Sequence, residues 1–229
     1  MAFLIGIDDS GRGPVIGPML MAGILVEEKN QKKLKKIGCK DSKQLTRKER
    51  EELFDKIKEI SAGYHIVATS PTEIDGRASV GLDLNKLEAI KTATIINALL
   101  EQFQDTIKNE EVQIIVDCPS PNTESWKMYL RSHIKYNNIN LKCEHKADIN
   151  YVECSAASIL AKVTRDREID KIKEQIGHNI GSGYPSDPVT VEFLEKHSKE
   201  FKNHGIFRKT WGTWTEHIRK REQKKLDGF

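Results

Sequence analysis

The chain has 229 residues, 38% hydrophobic and 31% charged, with a net charge of +3. That balance belongs to a folded globular protein and excludes a disordered chain, and no apolar run approaches the roughly 18 residues a membrane span needs. The start, MAFLIGIDDSG, lacks the basic head of a signal peptide, and four cysteines without a CxxC pair read as reduced thiols of a cytoplasmic protein, with no zinc site among them.

In chain order, residues 2–8 and 18–26 are short apolar runs bounded by Gly and Pro, and predict two strands joined by the turn GPVIGP. Residues 30–37 form a short basic helix. Thr46 opens a longer one, with Glu49 three positions on completing a capping box. YHIVATSP, from Tyr64, reads as a strand ended by Pro71. Residues 84–104 carry Leu84, Leu87, Ile90, Ala93, Ile96, Leu100 and Phe103 at helical spacing. VQIIVD (112–117) and INLKCEH (139–145) are strands. A long helix from Val152 runs to Ile176, and 188–200 and 210–226 add two more. Interleaved strands and helices, with a tight first turn, predict a mixed sheet covered by helices. The chain reads as a catalytic domain over 1–200 and a basic helical segment over 201–229. From Lys196 onward there are ten Lys or Arg against four Asp or Glu, so a mildly acidic body carries a basic tail. That asymmetry suits a polyanion partner, or a solvated helix face.

Asp8 and Asp117 end predicted strands, and Asp148 follows a third. In open α/β sheets the functional crevice lies outside strand ends. Carboxylates gathered there repel unless a cation compensates, and oxygen donors favour hard ions, Mg²⁺ or Mn²⁺. Two such ions about 4 Å apart can activate water and stabilise the leaving oxygen of a phosphodiester. Each acid could instead serve as a cap or turn residue, the reading given to Asp41, Asp75 and Asp83. Adjacent Asp8 and Asp9 face opposite sides of a strand, so both reach one site only where the strand gives way to SGRGP. Gly11 and Gly13 there allow close approach to the backbone, and Arg12 adds a charge suited to phosphate.

Five blocks taken together, GIDDSGRGPVIGPM, KDSKQLT (40–46), VDCP (116–119), HKADINYVECSAASILAKVTRD (145–166) and GSGYPSDP (181–188), resemble the ribonuclease HII family, the single-subunit archaeal branch above all. They stand in family order across almost the whole chain. The resemblance implies a ribonuclease H-like fold, a mixed sheet flanked by helices with a small helical C-terminal part. It implies a metal-dependent endonuclease that cuts the RNA strand of RNA–DNA hybrids and cuts 5′ to ribonucleotides embedded in duplex DNA, leaving 3′-hydroxyl and 5′-phosphate ends; the chain is expected to be monomeric. Its four acids fall on Asp8, Asp9, Asp117 and Asp148, which would hold two Mg²⁺ or Mn²⁺ ions. Gly11, Arg12, Gly13 and Tyr184 match the residues that read the ribose 2′-hydroxyl, and Lys43 and Lys162 match basic positions near the substrate. Asp9 stands where the family carries glutamate. The carboxylate is then roughly 1.5 Å further back, which leaves a catalytically weakened hybrid-binding module as the alternative. A related ribonuclease H type with a large N-terminal extension is a further rival; here the first acid is residue 8.

Arg165 and Asp166 read as a structural ion pair, Ser155 and Ser158 as either hydrogen-bond donors behind the site or packing residues of the long helix, with packing preferred, and His145 and His178 as structural. Trp211 and Trp214, among Arg208, Lys209, Arg219 and Arg221, form either a duplex-facing surface or a helix packed on the core. The ending QKKLDGF resembles the sliding-clamp (PCNA) interaction box through Gln223, Leu226 and Phe229, which one helical turn would present to an apolar pocket.

Overall fold

The computed structural model describes residues 2–40, 42–108 and 110–226, apart from the side chains of residue 43 and residues 224–226. Five strands form one sheet in the order β3-β2-β1-β4-β5. They are β1 (Phe3–Ser10), β2 (Met19–Glu27), β3 (Gly63–Thr69), β4 (Val112–Asp117) and β5 (Ile139–Glu144). β1 runs antiparallel to β2 and parallel to β4, which is parallel to β5. The helices are α1 (Gln31–Lys36), α2 (Arg47–Ile60), α3 (Pro71–Gly76), α4 (Leu84–Gln102), α5 (Gln104–Ile107), α6 (Thr123–Ser132), α7 (Ala147–Asn150), α8 (Val152–Ile176), α9 (Pro188–His197) and α10 (Gly212–Leu226). The mixed sheet flanked by helices is therefore the predicted one. No described helix is long and apolar enough to cross a membrane.

The chain divides into two compact units. The first comprises Met1–Ser10, Leu20–Val67 and Leu82–Thr164. In it, Leu4 of β1 and Leu20, Ala22, Ile24 and Val26 of β2 bury against Leu53, Phe54 and Ile57 of α2 and Ala156, Ile159 and Leu160 of α8. β1 alternates, so Gly6 and Asp8 share the face of Leu4. At Gly6 the contact with α8 is so close that a Cβ would lie 2.3 Å from the carbonyl carbon of Glu153. On the other face, Ile95 and Leu99 of α4 cover Gly23 of β2. The expected capping box forms: Glu49 N–H donates to the Thr46 hydroxyl at 3.3 Å, and Thr46 N–H to Glu49 Oε2 at 2.7 Å.

The second unit comprises Gly11–Met19, Ala68–Gly81 and Arg165–Phe229. Its core joins Val15 and Ile16 to Ile169, Phe193, Leu194, Phe201, Phe207 and Trp214. Trp214 is buried in this core and Trp211 packs on it, so the tryptophans serve packing. In the first unit, Asp83 caps α4 as expected, accepting from Lys86 N–H at 2.8 Å; in the second, Asp75 takes the other role, accepting from the backbone of Lys209 at 2.7 Å and of Thr210 at 3.0 Å. Asp41 lies outside the described residues.

β1 extends two residues past its predicted end. The antiparallel partner carries pairing through Asp9↔Met21 and Ser10↔Leu20, whereas pairing with β4 stops at Ile7↔Val116. Asp8 and Asp9 are thus still in the strand, and the break into the loop falls at Gly11, whose φ of 85° is left-handed. That conformation favours glycine.

Candidate active site

In the first unit, the acids sit where β1, β4 and β5 end side by side. Ile7 pairs with Val116, so Asp8 and Asp117 follow directly on neighbouring parallel strands, whose spacing is about 4.8 Å. Asp117 Oδ1 accepts the backbone N–H of Ala147 at 2.8 Å, which ties the end of β4 to α7, where Asp148 lies in the first turn. Lys146, just before it, takes a left-handed φ of 61°. A non-glycine residue bears a cost there that sites commonly contain. His145 Nδ1 meets Cys118 O at 2.9 Å, fastening the turn after β5 to the turn after β4.

Asp8 and Asp148 are each only 6% exposed; Asp9 and Asp117 are half-buried. Burial raises the Asp8 carboxyl well above the usual carboxylate range. Asp9 adds to this, as does Asp117, while a hydrogen bond from Ser158 partly offsets it. Asp9 therefore lies close enough to act on Asp8, although alternation starts the two on opposite faces. Ser158, for which the sequence left a donor role open beside packing, takes the donor role and orients the central acid. Its hydroxyl lies 3.0 Å from that of Ser42, so the KDSKQLT block reaches Asp8 through two hydroxyls. Arg50 of α2 holds that block's turn by donating to Leu45 O at 2.6 Å and Ser42 O at 3.1 Å. The backbone of Lys43 lies in this turn. Lys162 lies on α8, half-buried.

The donor set suits a divalent cation. Carboxylate oxygens are hard ligands, and a buried acid beside two others is the arrangement in which a bound cation removes an electrostatic cost.

In the second unit, the glycine loop rests on two fully buried arginines. Arg208 donates from Nη2 to Gly11 O at 2.6 Å, from Nη1 to Arg12 O at 2.8 Å and from Nε to Gly17 O at 3.0 Å. Its guanidinium also lies 4.9 Å from the Trp211 ring centre, and Trp211 Nε1 donates to Gly13 O at 3.1 Å. Arg165 passes beneath Gly11, where a Cβ would stand 2.3 Å from its Nε. It donates to Ser182 O at 2.8 Å and lies 5.0 Å from the Tyr184 ring centre. The Arg165 Nε and Nη1 groups are buried with no hydrogen-bond partner among the described residues. Tyr184, half-buried, stands beside Gly13, 3.7 Å from where a Cβ would be. Its loop is fastened by Asp187, whose Oδ2 accepts Ser182 N–H at 2.6 Å and Oγ–H at 2.7 Å.

Arg165 is buried beneath Gly11 and against Tyr184, and the charge of Asp166 acts on it. Of the two readings given to the segment around Trp211 and Trp214, packing holds for Arg208, which is fully buried and donates to three loop carbonyls.

A family model described as ribonuclease HII matches residues 5–214. The chain belongs to the ribonuclease HII family. Ribonuclease HII of Methanococcus maripaludis strain C6 is 42% identical over 224 residues, covering 97% of this chain and 90% of the relative. The crystal structure of ribonuclease H2 from Pyrococcus horikoshii OT3 superposes with a TM-score of 0.81 at 39% identity, covering 95% of this chain and 98% of that one. The structure of the PCNA:RNase HII complex from Archaeoglobus fulgidus superposes at 0.78 and 34% identity, covering 91% and 95%. The chain is accordingly a ribonuclease H, a hydrolase of the RNA strand of RNA–DNA hybrids. Within this ribonuclease HII, Gln223 lies exposed on α10, whereas the Leu226 side chain and Phe229 fall outside the described residues.

Proposed function

We propose that this ribonuclease HII is a divalent-metal-dependent endonuclease that cuts hybrids and also cuts 5′ to single ribonucleotides in duplex DNA. The observation that carries the reading is the burial of Asp8 beside Asp9 and Asp117, with Asp148 in the turn tied to Asp117. Asp8, Asp9, Asp117 and Asp148 hold two Mg²⁺ or Mn²⁺ ions. When bound, the cations supply activation of the attacking water and charge stabilisation at the scissile phosphate. The protein's part is to fix the carboxylates. Ser158 orients Asp8, Ala147 N–H orients Asp117, and no protein nucleophile takes part. The products are a 3′-hydroxyl and a 5′-phosphate.

Gly11, Arg12, Gly13 and Tyr184 recognise the ribose. With the carbonyls of Gly11 and Arg12 engaged by Arg208, the loop is held in one conformation, and its remaining polar groups and the Arg12 guanidinium can meet a hydroxyl and a phosphate. The buried charge of Arg165 beneath the loop favours an anion there. Lys43 and Lys162 contact the phosphate backbone. The QKKLDGF ending, through Gln223, Leu226 and Phe229, binds the sliding clamp, a reading supported by a 34% identical ribonuclease HII solved with PCNA. The enzyme works as a cytoplasmic monomer.

The test is a duplex with one embedded ribonucleotide, and a matched hybrid, incubated with Mg²⁺, Mn²⁺ or chelator, with cut sites mapped at nucleotide resolution. Cutting on the 5′ side of the ribonucleotide, dependent on metal and lost in Asp117→Asn, is expected. Metal-independent cutting, or binding of the hybrid with no cut under any metal, would overturn the reading; the second outcome would make the chain a hybrid-binding module disabled by Asp9.

A further inference from the structure

We propose that His178, His197 and Glu200 form a second metal site, selective for a borderline cation such as Zn²⁺ and separate from the aspartates. Their ligand atoms all lie within 4.8 Å of one another. His197 Nδ1 is 3.1 Å from Glu200 Oε2, and the two imidazole rings lie 4.2 Å apart between centres, inclined at 31°. Tetrahedral ligands at zinc distances are roughly 3.4 Å apart, so side-chain rotation of about 1 Å closes the group.

The donor chemistry decides the cation. Two imidazole nitrogens and one carboxylate oxygen suit Zn²⁺ and its neighbours and leave a fourth position for water. Mg²⁺ prefers oxygen donors throughout, so the ion that suits the aspartates does not suit this group. The surroundings also favour a cation. His197 is the last residue of α9, where the helix dipole is negative. Phe193 stacks on His197 at 5.4 Å, and Phe201 meets His178 edge-on at 5.4 Å, which walls the histidines with apolar rings and limits competition from solvent.

Sequence spacing hid this group, because His178 and His197 are separated by the whole of the GSGYPSDP loop and α9. That separation gives the site its consequence. His178 lies just beyond the end of α8 and His197 ends α9, so a shared cation staples the base of the segment that carries Tyr184. A bridge that closes such a loop favours the folded state.

The experiment uses the full chain with Mg²⁺ at saturating concentration, so that the aspartates are occupied, and titrates Zn²⁺. Zinc-edge X-ray absorption should show one zinc with two imidazole ligands, and the melting temperature should rise by on the order of several degrees. His178→Gln, His197→Gln and Glu200→Gln should each weaken zinc binding by about tenfold or more, while Asp117→Asn leaves it unchanged. The exposed Glu200 keeps the test valid should a histidine variant fail to fold. Zinc bound through oxygen ligands alone, zinc lost in Asp117→Asn, or affinity unchanged in Glu200→Gln and in a folded histidine variant would each overturn the proposal.

Discussion

Arg208 Nη2 donates to the carbonyl oxygen of Gly11 at 2.6 Å, across 197 residues of chain. One guanidinium spans three carbonyls of one loop, a geometry that a lysine ammonium cannot reproduce. Arg208→Lys should therefore fold but lower stability by about 2–4 kcal/mol, because buried carbonyls lose charge-assisted partners. Its KM for a single-ribonucleotide duplex should rise more than its kcat falls, since the loop binds and does not react. Chemical denaturation and steady-state kinetics on the same preparation check both; a kcat loss at constant KM would count against a positioning role.

Asp8→Asn should abolish metal-dependent cleavage yet stabilise the metal-free protein. The sign follows from the direction of its shift. The folded pKa lies above the unfolded value of about 3.9, so the folded state binds the extra proton between those two values. Stability falls as pH rises through that window, and the charged form is a penalty at neutral pH. Amide replacement removes the charge, so the melting temperature measured in chelator at neutral pH should rise above wild type. Near pH 3 the two proteins should converge.

Asp187 behaves in the opposite sense. Hydrogen bonds from the Ser182 hydroxyl and backbone, and from the N–H groups of Val189 and Thr190, hold its carboxyl below the usual range. Its contribution is present above the unfolded pKa of about 3.9 and is lost as pH falls through the lower folded value. Asp187→Ala should destabilise by about 1 kcal/mol at neutral pH, the ordinary cost of a lost helix cap. The difference from wild type should shrink below about pH 3, as followed by thermal melts across pH.

Asp9→Glu should raise the rate of metal-dependent cutting. Asp9 belongs to a strand that still pairs with Met21, so its backbone is not free to move toward the metals, and the added methylene supplies reach of roughly 1.5 Å. Misplacement by about 1 Å can cost on the order of 10²-fold in rate. Single-turnover kinetics with Mg²⁺ and Mn²⁺ give the answer; a fall in rate would mean that the site is built around the shorter acid.

The legible parts of the molecule are those whose signal is local. VQIIVD is β4 to the residue, because a short apolar run between polar flanks admits few other readings. The Thr46 capping box and the Asp83 cap were legible for the same reason. α6 was not, because only Trp126 and Leu130 of its ten residues are buried, too few to mark a period. At the site, the acids and the glycine loop were visible as motifs, but their supports were visible only in part. Ser158 was legible only as one of two readings, since its contact with Asp8 joins α8 to β1, and Arg165 and Arg208 carry the composition of a basic surface while lying in the interior. What distinguishes a buried arginine from an exposed one is the carbonyls it meets, and those come from distant sequence. In the tail, charge alone left a surface and a packed helix both open; the structure decides it, with Arg208 and Trp214 in the core of the second unit.

The hydrogen atom that serves as the side chain of Gly6 sets a distance for the reaction centre. Gly6 stands two residues before Asp8, and the carbonyl it touches belongs to Glu153, just over one helical turn before Ser158. A methyl group at position 6 would lever the helix outward and carry the serine hydroxyl off the acid it steadies. Gauge and chemistry here share the same few residues, so a change that removes no reacting group could still silence the enzyme.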